Sequence, residues 1–226
     1  MQSFRSTCAF SEVMQDRLRD LLVERTLTIA EPGKWFTLST GRRSKFYLNC
    51  KRVTLSSDGA SLIADAFLDK LANFPDQVTA VGGRTVGADP IVGAMMMRGL
   101  ERGVRLEGFY VREKQKTHGT GELIANAPPP GTKVVIVDDV VTTGKSVIEA
   151  INAAQGAECV VVGVITLMDR LEEDGHAHIR ARVPHYVSIY TRHDFPEIPD
   201  SEKWDTKTSA PLSETQKAST SGTSGR

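Results

Sequence analysis

The sequence predicts an α/β protein built on a doubly wound, mostly parallel sheet with helices on both faces, plus a small N-terminal hood. Two observations predict this fold class. Residues 133–140 and 158–169 are apolar almost throughout, as expected of strands that are covered on both faces. From residue 56 onward, segments with helical spacing alternate with strands. This alternation is typical of parallel strands joined by helices.

The elements can be justified in chain order. Residues 11–26 have the spacing of an amphipathic helix, with Ser11 at its N-cap position. Hood elements are predicted at about 11–55, because residues 26–53 alternate apolar and polar positions around Pro32-Gly33 and Gly41, which predicts short strands and turns. The remaining predictions are a helix at 56–74, a strand, glycine-rich turn and helix across 77–103, a strand at 104–113, a strand at 133–140, a helix at 144–155 and a strand at 158–169.

Length and composition exclude several classes of protein. The 226 residues suit a single domain, which we place at 1–208, followed by a Ser/Thr/Gly-rich tail at 209–226 that we predict to be disordered. With 28 basic and 28 acidic residues, the chain is a poor candidate for bulk nucleic-acid or membrane-surface binding. Three scattered cysteines, Cys8, Cys50 and Cys159, argue against a disulfide framework or a zinc cluster. We therefore expect a cytoplasmic protein, without a signal peptide or a transmembrane segment.

The stretch "VVIVDDVVTTGKSV" (134–147) carries the clearest chemical signal. Asp138 and Asp139 end an apolar strand, and open parallel sheets bind ligands at such ends. Because side chains alternate along a strand, we expect the two carboxylates to diverge and to accept hydrogen bonds from sugar hydroxyls, or to help hold a hydrated Mg²⁺. The turn at 140–144 and the helix after it offer amide groups and a positive dipole end to a phosphate. The stretch thus predicts a site for a phosphorylated sugar.

Two other interpretations of this stretch compete with the first. An apolar strand ending in two aspartates is also compatible with a plain solvated strand end. The residues Gly144-Lys145-Ser146 match the last three positions of a nucleoside-triphosphate P-loop, but that pattern requires a glycine five residues before Gly144. Asp139 stands there, so we reject the P-loop.

The stretch 134–147, with its Asp-Asp pair, two apolar residues, Thr-Thr-Gly and a small residue, resembles the phosphoribosyl-diphosphate (PRPP) motif of type I phosphoribosyltransferases. Four further segments resemble, in order and spacing, the orotate phosphoribosyltransferase family. They are "FTLSTGRRSKFYLNC" (36–50), "VGGRTVGADPIVGAM" (81–95), "GFYVREKQKTHGTGELI" (108–124) and "LMDR" (167–170). The resemblance covers about residues 12–195, and it implies the type I phosphoribosyltransferase fold.

The resemblance implies an enzyme that joins orotate to PRPP, with Mg²⁺, giving orotidine 5′-monophosphate and diphosphate in pyrimidine (UMP) synthesis. It implies that Asp138 and Asp139 face the ribose hydroxyls and that Mg²⁺ is carried mainly by PRPP, with no direct protein ligand assigned. The residues that would cradle the 5′-phosphate are Thr142, Thr143, Gly144 and Ser146. Val140, Val141 and Lys145 complete the PRPP-binding motif, and Lys145 has no particular role assigned.

The long polar segment 112–132 also acquires a role from the resemblance, although its charge alone fits a solvated basic loop. Its matching residues Arg112, Lys116 and His118 would bind PRPP, and the loop at 112–127 would reach the neighbouring site of a homodimer. Lys116, His118 and Asp139 are the catalytic candidates. For orotate, the matching residues are Arg170 at the carboxylate, and Thr142, Phe46 and Tyr47 near the ring; the two aromatic residues could equally be hydrophobic filling. Neither nucleic acid nor membrane is implied as a partner.

Three positions depart from the family pattern. Ser39, Val86 and Glu113 stand where some members carry a lysine, so the detailed contacts to base and diphosphate stay open. Two other functions also stay open: phosphoribosyl transfer to another base, and a PRPP-binding regulator of the same fold.

Overall fold

The computed structural model describes residues 10–38, 41, 43–113 and 123–198. The helices are α1 (Glu12–Thr26), α2 (Lys51–Thr54), α3 (Ser57–Ala72), α4 (Asp89–Glu101), α5 (Lys145–Gly156) and α6 (Gly175–Arg180). The strands are β1 (Leu27–Ile29), β2 (Phe36–Thr37), β3 (Arg43–Ser44), β4 (Phe46–Leu48), β5 (Ala80–Arg84), β6 (Glu107–Val111), β7 (Ile124–Ala125), β8 (Lys133–Val141), β9 (Val160–Asp169) and β10 (His185–Thr191). None of the helices in these ranges is both long and apolar enough to cross a membrane.

A six-stranded sheet forms the centre of the larger compact unit, which comprises Met1–Thr28 and Leu48–Glu197. The strand order is β10-β9-β8-β5-β6-β7. All neighbours are parallel except β7, which runs antiparallel to β6. The predicted α/β architecture with a mostly parallel sheet is confirmed.

The core explains why β8 and β9 are so apolar. Residues 134–137 of β8 are fully buried, as are Val164 and Ile165 of β9. Val147 and Ile151 of α5 belong to one hydrophobic cluster with β8, together with Ile179 of α6. Helices α3 and α4 contact other parts of the sheet and each other. Strands enclosed in this way need apolar side chains on both faces.

The strand order also fixes where a ligand can bind. From β5 the chain passes to β6 on one side, and it then returns to β8 on the other side of β5. The carboxyl ends of β5 and β8 therefore flank the point where the direction of winding reverses. In open α/β sheets this switch point is where ligands bind. The glycine-rich turn after β5 and the two aspartates of β8 lie there.

Most predicted elements are present, and the differences are local. Ser11 caps α1 as predicted, since its side chain accepts a hydrogen bond from the Met14 N–H group at 3.3 Å. Strand β8 continues to Val141, where it still pairs with β9, so the predicted turn at 140–144 begins two residues late. Helix α2 lies within the segment expected to contain only short strands, and β7 lies within the predicted long loop.

The smaller unit comprises Ile29–Tyr47 and Ile198–Arg226. Its described part contains the antiparallel pair β2 and β3. The rings of Phe36 and Tyr47 have centroids 5.8 Å apart, and the Lys45 ammonium lies 3.8 Å from the centre of the Trp35 ring. These contacts give the unit a small aromatic cluster. The predicted tail at 209–226 lies outside the described residues, and the division at 208 and 209 stays a prediction.

Candidate active site

Two buried carboxylates form the centre of the candidate site. Asp138 and Asp139 are 5% and 9% exposed, although both are charged residues near the end of a strand. One oxygen of Asp138 accepts a hydrogen bond from the Ser146 hydroxyl at 2.7 Å, and the other accepts one from the Asp139 N–H group at 2.9 Å. Burial of a carboxylate is costly unless such donors are supplied. Asp138 is therefore buried and supplied with two hydrogen-bond donors, unlike an acid at a solvated strand end.

The surroundings of Asp138 perturb its ionisation. Burial, and next the negative charge of Asp139, raise the pKa of Asp138 to about 7. The hydrogen bonds from Ser146 and from the Asp139 amide oppose this rise, because they favour the charged form. Asp138 can therefore change its charge near neutral pH. Perturbed carboxyl groups of this kind are concentrated at functional sites.

The glycine-rich turn after β5 touches both acids. A Cβ atom on Gly87 would lie 2.6 Å from Asp139 Oδ1 and 2.7 Å from Asp138 Oδ1. One oxygen of each carboxylate thus faces the same point, and the prediction that the two acids simply diverge is wrong in this respect. The absence of a side chain at Gly87 leaves the room into which both carboxylates turn.

The predicted phosphate loop has the expected form. Gly144 has a φ of 75° and leads directly into α5. The Lys145 N–H group donates to Thr143 Oγ1 at 3.2 Å, and the other amide groups of the first helical turn have no partner within the helix. A Cβ atom on Gly175 would lie 2.2 Å from the Thr142 carbonyl oxygen, so α6 holds the loop at close range. This helix end suits an anion.

Two residues of the predicted PRPP motif, Ser146 and Lys145, have partners within the protein. The Ser146 hydroxyl, expected at the phosphate, donates to Asp138 instead, because the buried carboxylate requires a donor. Lys145 is exposed and lies 3.9 Å from Glu149 one helical turn later. Val140 is half-buried and Val141 is buried. These residues contribute the shape of the loop, and their contact with a phosphate stays a prediction.

Arg170 follows β9 and lies beside the phosphate loop. Its backbone N–H group donates to the Val141 carbonyl at 3.0 Å. Its guanidinium is 3% exposed and binds both oxygens of Glu172, at 3.0 Å and 3.3 Å. The backbone that follows is constrained, since Leu171, Glu173 and Asp174 each have a φ of 53°. Strained backbone of this kind is concentrated at functional sites.

One basic residue near the acids was not predicted. Lys51, at the start of α2, places its Nζ atom 3.5 Å from Asp139 Oδ2. The two residues are separated by 88 positions in the chain. No local pattern distinguishes Lys51 from the adjacent Arg52, so the sequence contained no signal for this ion pair.

Of the other predicted site residues, Arg112 lines a separate cavity, and Lys116 and His118 lie outside the described residues. Arg112 lines a cavity of about 660 Å³ with Glu149 and Ala153, and the paired aspartates do not line this cavity. The Arg112 guanidinium lies 5.8 Å from the ring of Tyr110. Lys116, His118 and most of the loop at 112–127 lie outside the described residues, as does Ser39.

The aromatic pair belongs to the smaller unit, and its two members differ in accessibility. Phe46 is fully buried, whereas Tyr47 is 44% exposed. Neighbouring residues of a strand point in opposite directions, which explains the difference. Phe46 therefore fits the interpretation as hydrophobic filling, and Tyr47 alone offers a ring to a ligand.

Comparisons with known proteins identify the family of this chain. The family model of the phosphoribosyl transferase domain matches residues 58–206. The orotate phosphoribosyltransferase of Rhodopirellula baltica is 43% identical over 140 residues, which are 60% of this chain and 72% of the relative. That of Sorangium cellulosum is 37% identical over 189 residues, which are 83% of this chain and 94% of the relative.

A solved structure shows the same fold. Mycobacterium tuberculosis orotate phosphoribosyltransferase in complex with PRPP superposes with a TM-score of 0.63 at 28% identity, covering 80% of this chain and 98% of that chain. The chain belongs to the orotate phosphoribosyltransferase family.

Proposed function

We propose that this enzyme transfers the 5-phosphoribosyl group of PRPP to orotate, giving orotidine 5′-monophosphate and diphosphate in pyrimidine (UMP) synthesis. The observation that carries the proposal is the pair of buried acids at the switch point of the sheet, with a helix N-terminus on one side and a buried arginine nearby. Together they offer hydroxyl acceptors, a phosphate site and a carboxylate site. PRPP and orotate require these three features.

The residues at the end of β8 bind PRPP. Asp138 and Asp139 accept hydrogen bonds from the ribose hydroxyls, since a carboxylate has several acceptor positions. The 5′-phosphate binds to the amide groups of the loop at 142–146, where the dipole of α5 favours negative charge. The close packing of Gly175 against Thr142 supports this role, because it keeps the loop in one conformation.

Orotate is a planar anion, and Arg170 binds its carboxylate. A guanidinium forms two parallel hydrogen bonds with a carboxylate, and Glu172 already shows this geometry in the structure. Thr142 lies on the same loop as the phosphate site and can reach the base. The resemblance assigns Tyr47 to the orotate ring, and the ring of Tyr47 is exposed.

In the reaction, the bond from C1′ of the ribose to the diphosphate oxygen breaks, and the bond from C1′ to the ring nitrogen of orotate forms. The ring nitrogen gives up its proton, which passes to solvent or to the departing diphosphate. Both electrons of the broken bond leave with the diphosphate, so cations near it stabilise the developing charge. Arg112, Lys116 and His118 are the candidates for this role. Asp139 stabilises the ribose as positive charge develops on it. Exclusion of water by the loop at 112–127 protects that sugar from hydrolysis.

Mg²⁺ is the expected cofactor, and the residues fit a hydrated ion. In the described ranges, no group of three or more His, Cys, Asp or Glu side chains could hold a metal by itself. Asp138 and Asp139 can accept hydrogen bonds from water on an ion that PRPP carries, which is how Mg²⁺ usually binds. When bound, the ion neutralises charge on the diphosphate.

A homodimer and a cytoplasmic location complete the proposal. The resemblance of the segment 112–127 to a loop that reaches across a dimer supports the first, and the scattered cysteines support the second. A mixture of Lys116→Ala chains and Asp139→Asn chains tests the dimer. Recovery of activity above that of either variant alone would support loop donation, and no recovery after mixed refolding would contradict it.

The enzymatic function is tested by following the loss of orotate absorbance with PRPP and Mg²⁺. We expect turnover by the unmodified chain, a much lower rate for Asp139→Asn, and loss of turnover with a chelator that returns when Mg²⁺ is added. A competition assay with hypoxanthine and adenine tests the base. Preference for a purine, or no turnover with orotate, would overturn the proposal.

A further inference from the structure

We infer that Lys51 is a positioning residue, which holds the Asp139 carboxylate in the orientation that accepts the ribose hydroxyls of PRPP. This inference rests on the proposed function, because PRPP binding is what gives Asp139 its role. It concerns a residue for which the sequence motifs predict no part in the reaction.

The two oxygens of Asp139 have different and defined surroundings. Oδ2 lies 3.5 Å from the Lys51 ammonium. Oδ1 faces Gly87, at 2.6 Å from the position that a Cβ atom would take there. The Asp139 side chain is only 12% exposed, whereas that of Lys51 is 48% exposed. The ammonium therefore lies at the open side of a buried carboxylate, where it limits rotation of the carboxylate group.

The charges around the acids explain why such a residue is needed. Asp138 is stabilised by the Ser146 hydroxyl and by the Asp139 amide, and both of these donors are neutral. Asp139 has a neighbouring carboxylate whose negative charge repels its own. The Lys51 ammonium supplies a positive charge on the side of Asp139 away from Gly87. Because Coulomb attraction draws Oδ2 toward this cation, Lys51 offsets the repulsion between the two acids and fixes the Asp139 carboxylate with Oδ1 toward Gly87.

The backbone of Lys51 is held firmly, which allows its side chain to act as a support. Cys50 before it is 2% exposed, and Val53 and Thr54 after it are 0% and 2% exposed. The Val53 and Thr54 N–H groups both donate to the Cys50 carbonyl, at 2.9 Å and 2.8 Å. Arg52, the next residue on this short helix, is exposed and supplies a matched control.

The test compares Lys51→Met, which keeps the length of the side chain but removes its charge, with Lys51→Arg and Arg52→Met. For Lys51→Met we expect kcat/KM for PRPP to fall about 5- to 20-fold, as for loss of a partly buried ion pair, with KM for orotate within about twofold. Lys51→Arg should recover most of the loss, and Arg52→Met should resemble the unmodified enzyme. Thermal midpoints confirm folding, and Lys51→Gln replaces Lys51→Met if the latter does not fold.

A double-mutant cycle distinguishes positioning of Asp139 by Lys51 from direct attraction between the Lys51 ammonium and the anionic PRPP. The dissociation constant of PRPP is measured by calorimetry for Lys51→Met, Asp139→Asn and the double variant. If Lys51 acts through Asp139, removing it from the Asp139→Asn protein should change the dissociation constant less than about twofold. The inference would be overturned if Lys51→Met changed the dissociation constant of PRPP equally in the unmodified protein and in Asp139→Asn. Equal kinetics of Lys51→Met and Arg52→Met would also overturn it. No turnover and no PRPP binding by the unmodified chain would instead refute the proposed function.

Discussion

Substitution of Asp138 by Asn should make the protein more stable and less active at the same time. Asp138 is 5% exposed and accepts two hydrogen bonds, one from Ser146 and one from the Asp139 amide. An asparagine keeps the size and one acceptor oxygen but carries no charge. The cost of burying a carboxylate beside Asp139 is therefore removed, together with the charge that the sugar hydroxyls bind.

The magnitude follows from the pKa of Asp138, which is raised from 3.8 to about 7. In the unfolded chain this carboxyl loses its proton near pH 4, while the folded protein keeps it until about pH 7. Stability therefore falls as the pH rises through this window. At about 1.36 kcal/mol for each pKa unit, the cost above pH 7 is at most about 4 kcal/mol. Weaker hydrogen bonds to the amide reduce the expected gain for Asp138→Asn to about 2–4 kcal/mol at pH 8.

Urea unfolding at pH 5, 6.5 and 8 measures this effect, with Asp20→Asn on the exposed surface of α1 as a matched control. We expect the difference between Asp138→Asn and the unmodified protein to be smallest at pH 5, where less than half of the cost has appeared, and to grow toward pH 8. Turnover should fall roughly 10- to 100-fold, as for loss of a charged hydrogen-bond acceptor. A variant that is less stable at pH 8, or a difference that does not depend on pH, would refute the reasoning.

Three further substitutions test the packing of the site. Gly87→Ala places a Cβ atom 2.6 Å from Asp139 Oδ1, so kcat/KM for PRPP should fall at least about tenfold, and overpacking against two buried carboxylates should cost about 1–3 kcal/mol of stability. Gly175→Ala places one 2.2 Å from the Thr142 carbonyl oxygen, so we expect urea unfolding to show a loss of about 1–3 kcal/mol and calorimetry to show weaker PRPP binding. Arg170→Lys keeps the charge but loses the planar guanidinium that forms two parallel hydrogen bonds with a carboxylate. The KM for orotate should therefore rise about tenfold, while the KM for PRPP stays within about twofold. An unchanged KM for orotate would contradict the role of Arg170.

The fold and the PRPP motif could be predicted because local patterns determine them. Strands β8 and β9 are apolar on both faces, which indicates a parallel sheet before any contact is known. The change from β8 to α5 occurs at Gly144, whose positive φ suits glycine. Since the carboxyl ends of parallel strands meet at one edge, the position of Asp138 in the sequence was enough to place it at a ligand site.

The contacts within the site could not be predicted, because their partners are distant in the chain. Nothing local indicates that Lys51 will reach Asp139, or that Ser146 will donate to Asp138 and not to a phosphate. Alternation along β8 predicts that the two carboxylates point apart, but the space left by Gly87 allows one oxygen of each to turn inward. Helix α6 has only six residues, which is too short for a helical period to be recognised.

Backbone packing connects the candidate orotate site to the candidate phosphate loop. Arg170, the candidate for orotate, is bound to the end of β8 through its N–H group and the Val141 carbonyl. Five residues later, Gly175 packs directly on the backbone of Thr142 and Gly144 in the phosphate loop. Contacts between backbone atoms cannot yield as long side chains can, so a shift at either substrate site must disturb the other. The same rigidity lets two adjacent carboxylates remain buried, because their donors and Lys51 are held in place around them.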